Sequence, residues 1–150
     1  MQQKITPNLW FNGNAQDAVD FYVSVFPDGK INATSYYPEE GLADFQKDLA
    51  GKPLTIEFEI NGLRFTAINA GPEFTFNESV SFSIACEDQA EIDYYWDKLS
   101  SVPESEQCGW CKDRFGLSWQ VVPKDIESLM QKPQAFAHMM RMKKIVIADF

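Results

Sequence analysis

Apolar and polar residues alternate along residues 54–60, a period of two that predicts a β-strand with one buried face. The pair Asn61-Gly62 follows directly and is typical of a two-residue hairpin turn, and residues 63–69 resume the alternation. We therefore predict a β-hairpin. Pairing about the turn sets Glu57 opposite Thr66 on the polar face.

Apolar residues recur at helical spacing in two other segments, which predicts two amphipathic helices. The second is preceded by Asp88, an N-cap residue, with Glu91 three positions later as in a capping box. The first stripe consists of Ala15, Ala18, Val19, Tyr22, Val25 and Phe26, and the second of Ile92, Tyr95, Trp96 and Leu99.

The two halves of the chain resemble each other in sequence. Residues 18–22 match residues 91–95 at an offset of 73, and residues 62–65 match residues 116–119 at an offset of 54. An order of strand, helix and then about three strands, present twice, predicts a duplicated βαβββ module and an α+β fold. Further strands are predicted at 5–11, 30–37 and 80–85, and a second hairpin from 109–112 and 117–122. Residues 38–53 are expected to form a long polar loop, and residues 71–77 a connector.

We expect a single domain over residues 1–150, with modules at about 5–70 and 79–123 and a tail at 124–150. The tail predicts two short helices separated by Pro133, followed by the apolar run 145–148. That run is suited to docking on another surface or on another chain.

Composition excludes several classes of function. Twenty-two acidic residues against thirteen basic ones give a net charge of −9, which repels phosphate backbones, so we predict no nucleic-acid partner. The sequence contains no apolar run near the ~18 residues of a membrane span and no secretory signal, which predicts no membrane association and a cytoplasmic location. Three cysteines, an odd number, fit a reducing compartment.

Seven segments match a known family most strongly: residues 5–11, 18–22, 57–65, 71–72, 76–77, 109–120 and 142–145. They resemble the PhnB-like, or 3-demethylubiquinone-9 3-methyltransferase-like, family of the vicinal-oxygen-chelate superfamily, which also contains glyoxalases, dioxygenases and bleomycin-resistance proteins. The resemblance implies two curved sheets whose concave faces form a small-molecule cleft, and pairing into a homodimer.

The superfamily pattern places metal ligands near Asn8, Thr66, Ser81 and Gln120. Many members carry His and Glu there and bind a divalent metal that chelates two substrate oxygens. Amide and hydroxyl groups bind transition metals weakly, so we predict no metal and no cofactor. The single histidine, His138, is expected to have a packing or surface role.

The methyltransferase name finds no support in the sequence. A typical S-adenosylmethionine enzyme has a glycine-rich loop between a strand and a helix, and Asn12-Gly13-Asn14 is far short of that pattern. Family naming by itself is a weak basis for function.

Cys108 and Cys111 have the spacing of a redox or zinc motif. If they lie in a strand, their Cα atoms are roughly 10 Å apart, too far for a disulfide. An even-numbered turn would place Cys111 on the face of Gln120, lining the cleft, and Cys108 on the helix-packed face. Two small buried apolar residues remain the plainer interpretation.

Charged and aromatic side chains complete the set of candidates. Glu57 is either a solvated structural residue or a carboxylate that contacts substrate, and Glu59 is expected to form a cross-strand ion pair with Arg64. Four aromatic residues are expected to pack helices onto the sheets, although an aromatic wall of the cleft stays open. These residues are Trp10, Phe65, Trp110 and Trp119.

The sequence thus favours a metal-free, small-molecule-binding homodimer of unassigned activity. The cleft candidates are Asn8, Glu57, Thr66, Ser81, Cys111 and Gln120, and no catalytic residue is assigned. One alternative is a metal-dependent lyase, isomerase or dioxygenase with an atypical site built from Glu57 and Gln120. Another is a structural or regulatory dimer whose tail, over residues 136–147, binds a partner.

Overall fold

A computed structural model describes residues 2–150 of the chain. Two compact units share the chain, the first ending at Thr75 and the second running from Phe76 to Phe150. Each unit has its own sheet and its own long helix.

The first unit contains four strands and one helix, and its sheet has the order β1-β4-β3-β2. Strand β1 runs parallel to β4, whereas β3 pairs antiparallel with both β4 and β2. The elements are β1 (Asn8–Asn12), α1 (Ala15–Val25), β2 (Lys30–Tyr36), β3 (Pro53–Ile60) and β4 (Leu63–Ala70), with a 3-10 helix at Asp44–Leu49 in the loop between β2 and β3.

The predicted hairpin of β3 and β4 is confirmed. Asn61 and Gly62 have φ angles of 51° and 78°, the two positive values that a type I′ turn requires. The resulting register sets Glu57 opposite Thr66, as predicted.

Helix α1 packs on β3 and β4 and covers one face of the first sheet. The predicted apolar stripe is buried from Ala15 to Val25, and Phe26 caps the helix at 3% exposure. Tyr22 is fully buried and stacks on Phe58, with ring centroids 6.1 Å apart. We refer to the opposite side of this sheet, which carries Asn8, Glu57 and Thr66, as the open face.

The second unit repeats this plan with one strand fewer after its helix. Its strands have the order β5-β7-β6, with β5 parallel to β7 and β6 antiparallel to β7. The elements are β5 (Ser81–Cys86), α2 (Gln89–Leu99), β6 (Trp110–Lys112), β7 (Ser118–Pro123), α3 (Ile126–Leu129) and α4 (Ala135–Met139), with 3-10 turns at Pro103–Ser105 and Ile147–Asp149.

Helix α2 begins as the sequence predicts. The Asp88 carboxylate accepts a hydrogen bond of 2.9 Å from the backbone N–H of Glu91 and so satisfies one of the free N–H groups of the first turn. Ile92, Tyr95 and Leu99 are buried against the second sheet.

The hairpin of β6 and β7 differs from the prediction by one residue. Asp113 and Gly116 form the expected turn, closed by a 3.0 Å hydrogen bond, but Gly116 has a φ of 92° and adds a third residue to the loop. The odd loop pairs Cys111 with Trp119 and sets Gln120 opposite Trp110. The predicted placement of Cys111 on the face of Gln120 is therefore wrong.

The C-terminal tail folds back on the second unit. The two short helices flank Pro133 as predicted. The N–H groups of Cys108 and Gly109 donate to the carbonyls of Met142 and Lys143, and Ile145 is fully buried. Ile145, the first residue of the apolar run, therefore packs within its own unit.

Candidate functional site

Three of the predicted site residues lie in one row across the open face of the first sheet. Thr66 is in register with Asn8 on one side and with Glu57 on the other. Asn8 and Glu57 are exposed and Thr66 is half-buried. The row offers an amide, a hydroxyl and a carboxylate to a bound molecule.

Glu59 does not form the predicted ion pair with Arg64. The register sets the two residues opposite each other, but the Glu59 carboxylate lies 3.8 Å from the Lys30 ammonium. The Arg64 guanidinium instead donates to the backbone carbonyl of Gln3 at 2.9 Å. The N-terminal segment therefore holds Arg64 away from its cross-strand neighbour.

In the second unit, Ser81 and Gln120 are brought together. The Gln120 side-chain amide donates a hydrogen bond of 2.9 Å to the Ser81 hydroxyl. The residue in register with Gln120, however, is Ser83, just as Asn8 is in register with Thr66. Ser83 is therefore the structural counterpart of Asn8, and the sequence comparison missed it.

Cys111 is absent from this group. It is 2% exposed, and burial raises the pKa of its thiol to about 12, with the charges of Asp113 and Glu106 adding to the effect. Cys108 does not lie in a strand, because its φ of 48° places it in the turn before β6. All three cysteines are free thiols, so the paired spacing serves no disulfide.

The side chains at the superfamily's metal positions do not fit a divalent transition metal. The amide nitrogen of Asn8 donates to the Thr6 carbonyl and that of Gln120 to the Ser81 hydroxyl, so each residue could offer a metal only its amide oxygen. Within residues 2–150, no three side chains of His, Cys, Asp or Glu are placed to hold a metal ion. Hydroxyl and amide oxygens alone are weak ligands for such metals.

A cavity of about 420 Å³ lies in the first unit, next to the row of polar residues. Trp10 and Ile68, which contribute to its wall, are in register with each other and lie two residues beyond Asn8 and Thr66 on the same face. The loop between β2 and β3 covers it with Leu42, Phe45 and Leu49. Its volume is within the range of natural ligand pockets.

Trp10 is fixed in the cavity wall by two contacts. Its indole N–H donates a hydrogen bond of 2.9 Å to the carbonyl of Gly71, and its ring meets that of Phe74 edge to face at 4.8 Å. Trp10 therefore does not pack α1 onto the sheet as predicted, whereas Phe65 and Trp119 lie buried on the helix-covered faces. Trp10 instead lines the cavity, which is the alternative that the sequence left open.

The base of the cavity is held by Tyr37 and Asn69. The Tyr37 hydroxyl donates to the Asn69 carbonyl at 2.6 Å, and the Asn69 side chain accepts from the N–H of Ala15 and donates to the carbonyl of Pro53. Burial raises the pKa of Tyr37, and the negative charge of Glu73 raises it further. The phenol is thus kept neutral, and the cavity end is tied to the start of α1.

Glu73 is the one charged residue of the cavity lining within the described chain. Its carboxylate folds over Gly71, so that both oxygens lie within 3.0 Å of where a Gly71 Cβ atom would be. Among residues 2–150 it has no ion-pair partner and accepts no hydrogen bond. Sequence reasoning missed this carboxylate because residues 71–77 read as a plain connector.

The loop contribution to the cavity also escaped the sequence analysis. Residues 38–53 read as a long polar loop, yet Leu42, Phe45 and Leu49 are spaced three and four residues apart, as on one face of a helix. That spacing was the available signal. The loop ends are held together because Tyr37 and Lys52 share a backbone hydrogen bond of 2.9 Å.

Each unit combines a strand, a helix and a hairpin whose last strand runs parallel to the first strand, and this arrangement gives the protein a FosX-like fold. Residues 3–122 match the model of the family described as 3-demethylubiquinone-9 3-methyltransferase, and the chain belongs to this family. No match is found among curated protein sequences.

Solved structures share the fold. The PhnB protein from Bacillus cereus is 34% identical, with a TM-score of 0.64 over 80% of this chain and 99% of that one. Protein PA1353 from Pseudomonas aeruginosa is 20% identical, with a TM-score of 0.61 over 81% and 98% of the two chains. The fosfomycin resistance protein FosX from Mesorhizobium loti is 12% identical, with a TM-score of 0.53 over 88% and 99%.

The helices of residues 2–150 are short. The longest, α1 and α2, have 11 residues each, and no helix has the length and apolar character that crossing a bilayer requires.

Proposed function

We propose that the protein binds a small, largely apolar organic molecule in the cavity of the first unit, without a metal ion. The observation that carries this proposal is the cavity of about 420 Å³, with Trp10 fixed in its wall and a loop across it. Apolar walls with a few polar groups are the usual composition of a ligand pocket. The row of Asn8, Thr66 and Glu57 supplies polar contacts to the part of a ligand that extends out of the cavity.

The donor set supports the metal-free part of the proposal. Asn8 and Gln120 occupy positions where metal-using relatives are expected to carry His or Glu, and their amide oxygens are weak ligands for transition metals. Elemental analysis of the purified protein tests this directly. Less than a tenth of an equivalent of any transition metal is expected, and a stoichiometric metal retained through dialysis would contradict it.

Assembly and location complete the proposal. The resemblance implies a homodimer, and we place its interface outside the tail, in which Ile145 is buried in its own unit although Phe136 and Met140 are exposed. Deletion of residues 136–150 is expected to loosen the second unit and to leave the sedimentation behaviour of a dimer. A cytoplasmic location stays a prediction, and the methyltransferase description is the name of the family.

Ligand binding can be tested with tert-butylbenzene, a neutral probe that fits the cavity. Protein labelled with ¹⁵N is titrated, and the indole N–H resonance of Trp10, assigned from a Trp10→Phe variant, is followed. Saturable shifts of this resonance are expected, because the N–H forms part of the cavity wall through Gly71. Unchanged spectra at the solubility limit of the probe would contradict the proposal.

A filling variant and its control locate the binding. Ala70→Trp places a large ring at a lining position and is expected to abolish the shifts. Ala90→Trp adds the same ring to an exposed position of α2 in the second unit and is expected to preserve them. Equal loss in both variants would argue against the cavity as the site.

A further inference from the structure

The largely apolar lining of the cavity in the first unit contains one negatively charged side chain. Glu73 contributes a carboxylate to the lining, and no Lys or Arg side chain lines the cavity within the described chain. Gly71, which has no side chain, leaves the space into which this carboxylate folds. The negative charge is therefore held beside the apolar volume and is not neutralised by the protein.

The walls next to this carboxylate are aromatic. Trp10, Tyr37 and Phe45 line the cavity, and Trp10 is held by its hydrogen bond to Gly71 and its ring contact with Phe74. Aromatic rings attract cations through their quadrupole, most strongly when the cation is desolvated, and Trp is the best of the three side chains. An unpaired carboxylate beside such rings attracts the same ligands.

A strongly hydrated cation does not match this site. The cavity offers few side-chain hydrogen-bond acceptors, because its lining is largely hydrocarbon apart from Tyr37, Gln46 and Glu73. A substituted ammonium group, which has alkyl groups where a metal ion has water, can enter without losing strong hydration. The net charge of −9 favours the approach of a cation to the protein.

From this geometry, and resting on the proposed function, we propose that the ligand of the cavity is a small lipophilic ammonium cation, recognised by the Glu73 carboxylate and the ring of Trp10. Its apolar part lies against Ile68 and the loop residues Leu42 and Leu49. Its charged group pairs with Glu73 at the cavity mouth, where that residue is exposed.

Three probes of similar shape but different charge distinguish recognition of charge from apolar contact. Phenyltrimethylammonium, tert-butylbenzene and benzenesulfonate are titrated into the full chain, and dissociation constants are taken from the shifts of the Trp10 indole N–H. Phenyltrimethylammonium is expected to bind at least about tenfold more tightly than tert-butylbenzene. Benzenesulfonate is expected to bind more weakly than both.

Two variants test the carboxylate and one controls for net charge. In Glu73→Gln the preference for the cation over the neutral probe is expected to fall to about twofold or less. Gly71→Ala has the same expected effect, because its Cβ atom would occupy the position of the carboxylate and push this flexible group aside. Glu40→Gln removes one charge from the loop between β2 and β3, at a position outside the cavity lining, and is expected to keep the preference.

The outcomes distinguish this inference from the function on which it rests. Failure of all three probes to bind would contradict both the proposed ligand binding and the proposed preference for a cation. Binding of tert-butylbenzene as tight as that of the ammonium probe, or tighter, would contradict only the inference that the ligand is a cation. The proposed apolar binding site would stand. An equal loss of preference in Glu40→Gln and Glu73→Gln would assign the effect to overall charge and also overturn the inference.

Discussion

The indole N–H of Trp119 donates a hydrogen bond of 2.9 Å to the side chain of Asp113, and both residues are almost completely buried. The other carboxylate oxygen accepts from the backbone N–H groups of Phe115 and Leu117 at 2.8 and 3.1 Å. One carboxylate therefore closes the turn between β6 and β7 and fixes the ring that packs beneath α2.

Replacing Asp113 with Ala is expected to lower the free energy of unfolding by about 3 kcal/mol, because one indole and two backbone N–H groups lose their acceptor inside the protein. Urea denaturation followed by circular dichroism measures the change. Asp97, which is exposed on α2, provides the control, and Asp97→Ala is expected to stay within about 0.5 kcal/mol of the wild type. A similar small change in Asp113→Ala would show that water replaces the carboxylate.

The same turn explains why one hairpin was predicted in register and the other was not. Asn61-Gly62 encodes a two-residue turn with two positive φ angles, and hence the pairing of Glu57 with Thr66. In the second hairpin, Gly116 extends the loop by one residue, and one residue reverses the face of every side chain on a strand. Cys111 therefore moved from the expected cleft to the buried face.

The alternation of apolar and polar residues could not predict the cavity, for a different reason. The hairpin pattern sets Glu57 opposite Thr66, which the structure confirms, and the family resemblance adds Asn8, but neither says what a long loop does. The pocket depends on contacts between distant parts of the chain, such as that of Trp10 with Phe74. Local patterns thus gave the scaffold, and tertiary contacts determine the pocket.

Thiol reactivity should separate the three cysteines. Burial is the main reason why the pKa values of Cys86 and Cys111 are raised to about 12, so that at pH 8 only about one molecule in 10⁴ carries either thiolate. Cys108 is half-buried in a turn beside Met140. Titration of the native protein with Ellman's reagent is expected to detect one thiol, and titration in denaturant three.

The variant Cys108→Ser is expected to remove the native reaction and to leave two thiols in denaturant. Reaction of two or more thiols in the folded protein would contradict the burial of Cys111.

The raised pKa values also have a consequence for stability. Because the folded state holds the Cys86 and Cys111 protons more tightly, the free energy of unfolding is expected to fall as the pH rises from about 9 towards 12.

Gly109 is expected to be intolerant of any side chain. Its φ is 86°, and a Cβ atom there would lie 2.9 Å from the Ile145 side chain and 3.0 Å from the Val121 carbonyl. Gly41 has nearly the same φ, 85°, with no atom within 4 Å of a Cβ position. Gly41→Ala therefore measures the backbone strain alone, about 1–2 kcal/mol.

Gly109→Ala is expected to destabilise the protein more than Gly41→Ala by at least about 1 kcal/mol, since its Cβ atom also displaces the tail. The midpoints of urea denaturation give the comparison. Limited proteolysis should cut the tail around Ile145 faster in the Gly109 variant only. Equal midpoints and equal cleavage rates would mean that the tail shifts at no cost.

The attachment of the tail to α2 depends on Gln89. Its side-chain amide donates to the carbonyl of Ile145 and its oxygen accepts from the N–H of Ile147, at 2.9 and 2.8 Å. The first helix provides a natural control. Gln16 bonds to Asp20 at 3.0 Å, just as Gln89 bonds to Asp93 at 3.0 Å, but in Gln16 this is the one side-chain bond among the described residues.

Gln89→Ala should therefore raise the rate of amide hydrogen exchange at Ile147 by about tenfold, because that N–H loses its acceptor while Lys144 still pairs with Asp93. Gln16→Ala loses the matching helix contact and should leave exchange in the tail unchanged. The two variants together distinguish loss of the tail contact from a general weakening of a helix. Unaltered exchange at Ile147 in Gln89→Ala would show that the buried Ile145 side chain suffices to hold the segment.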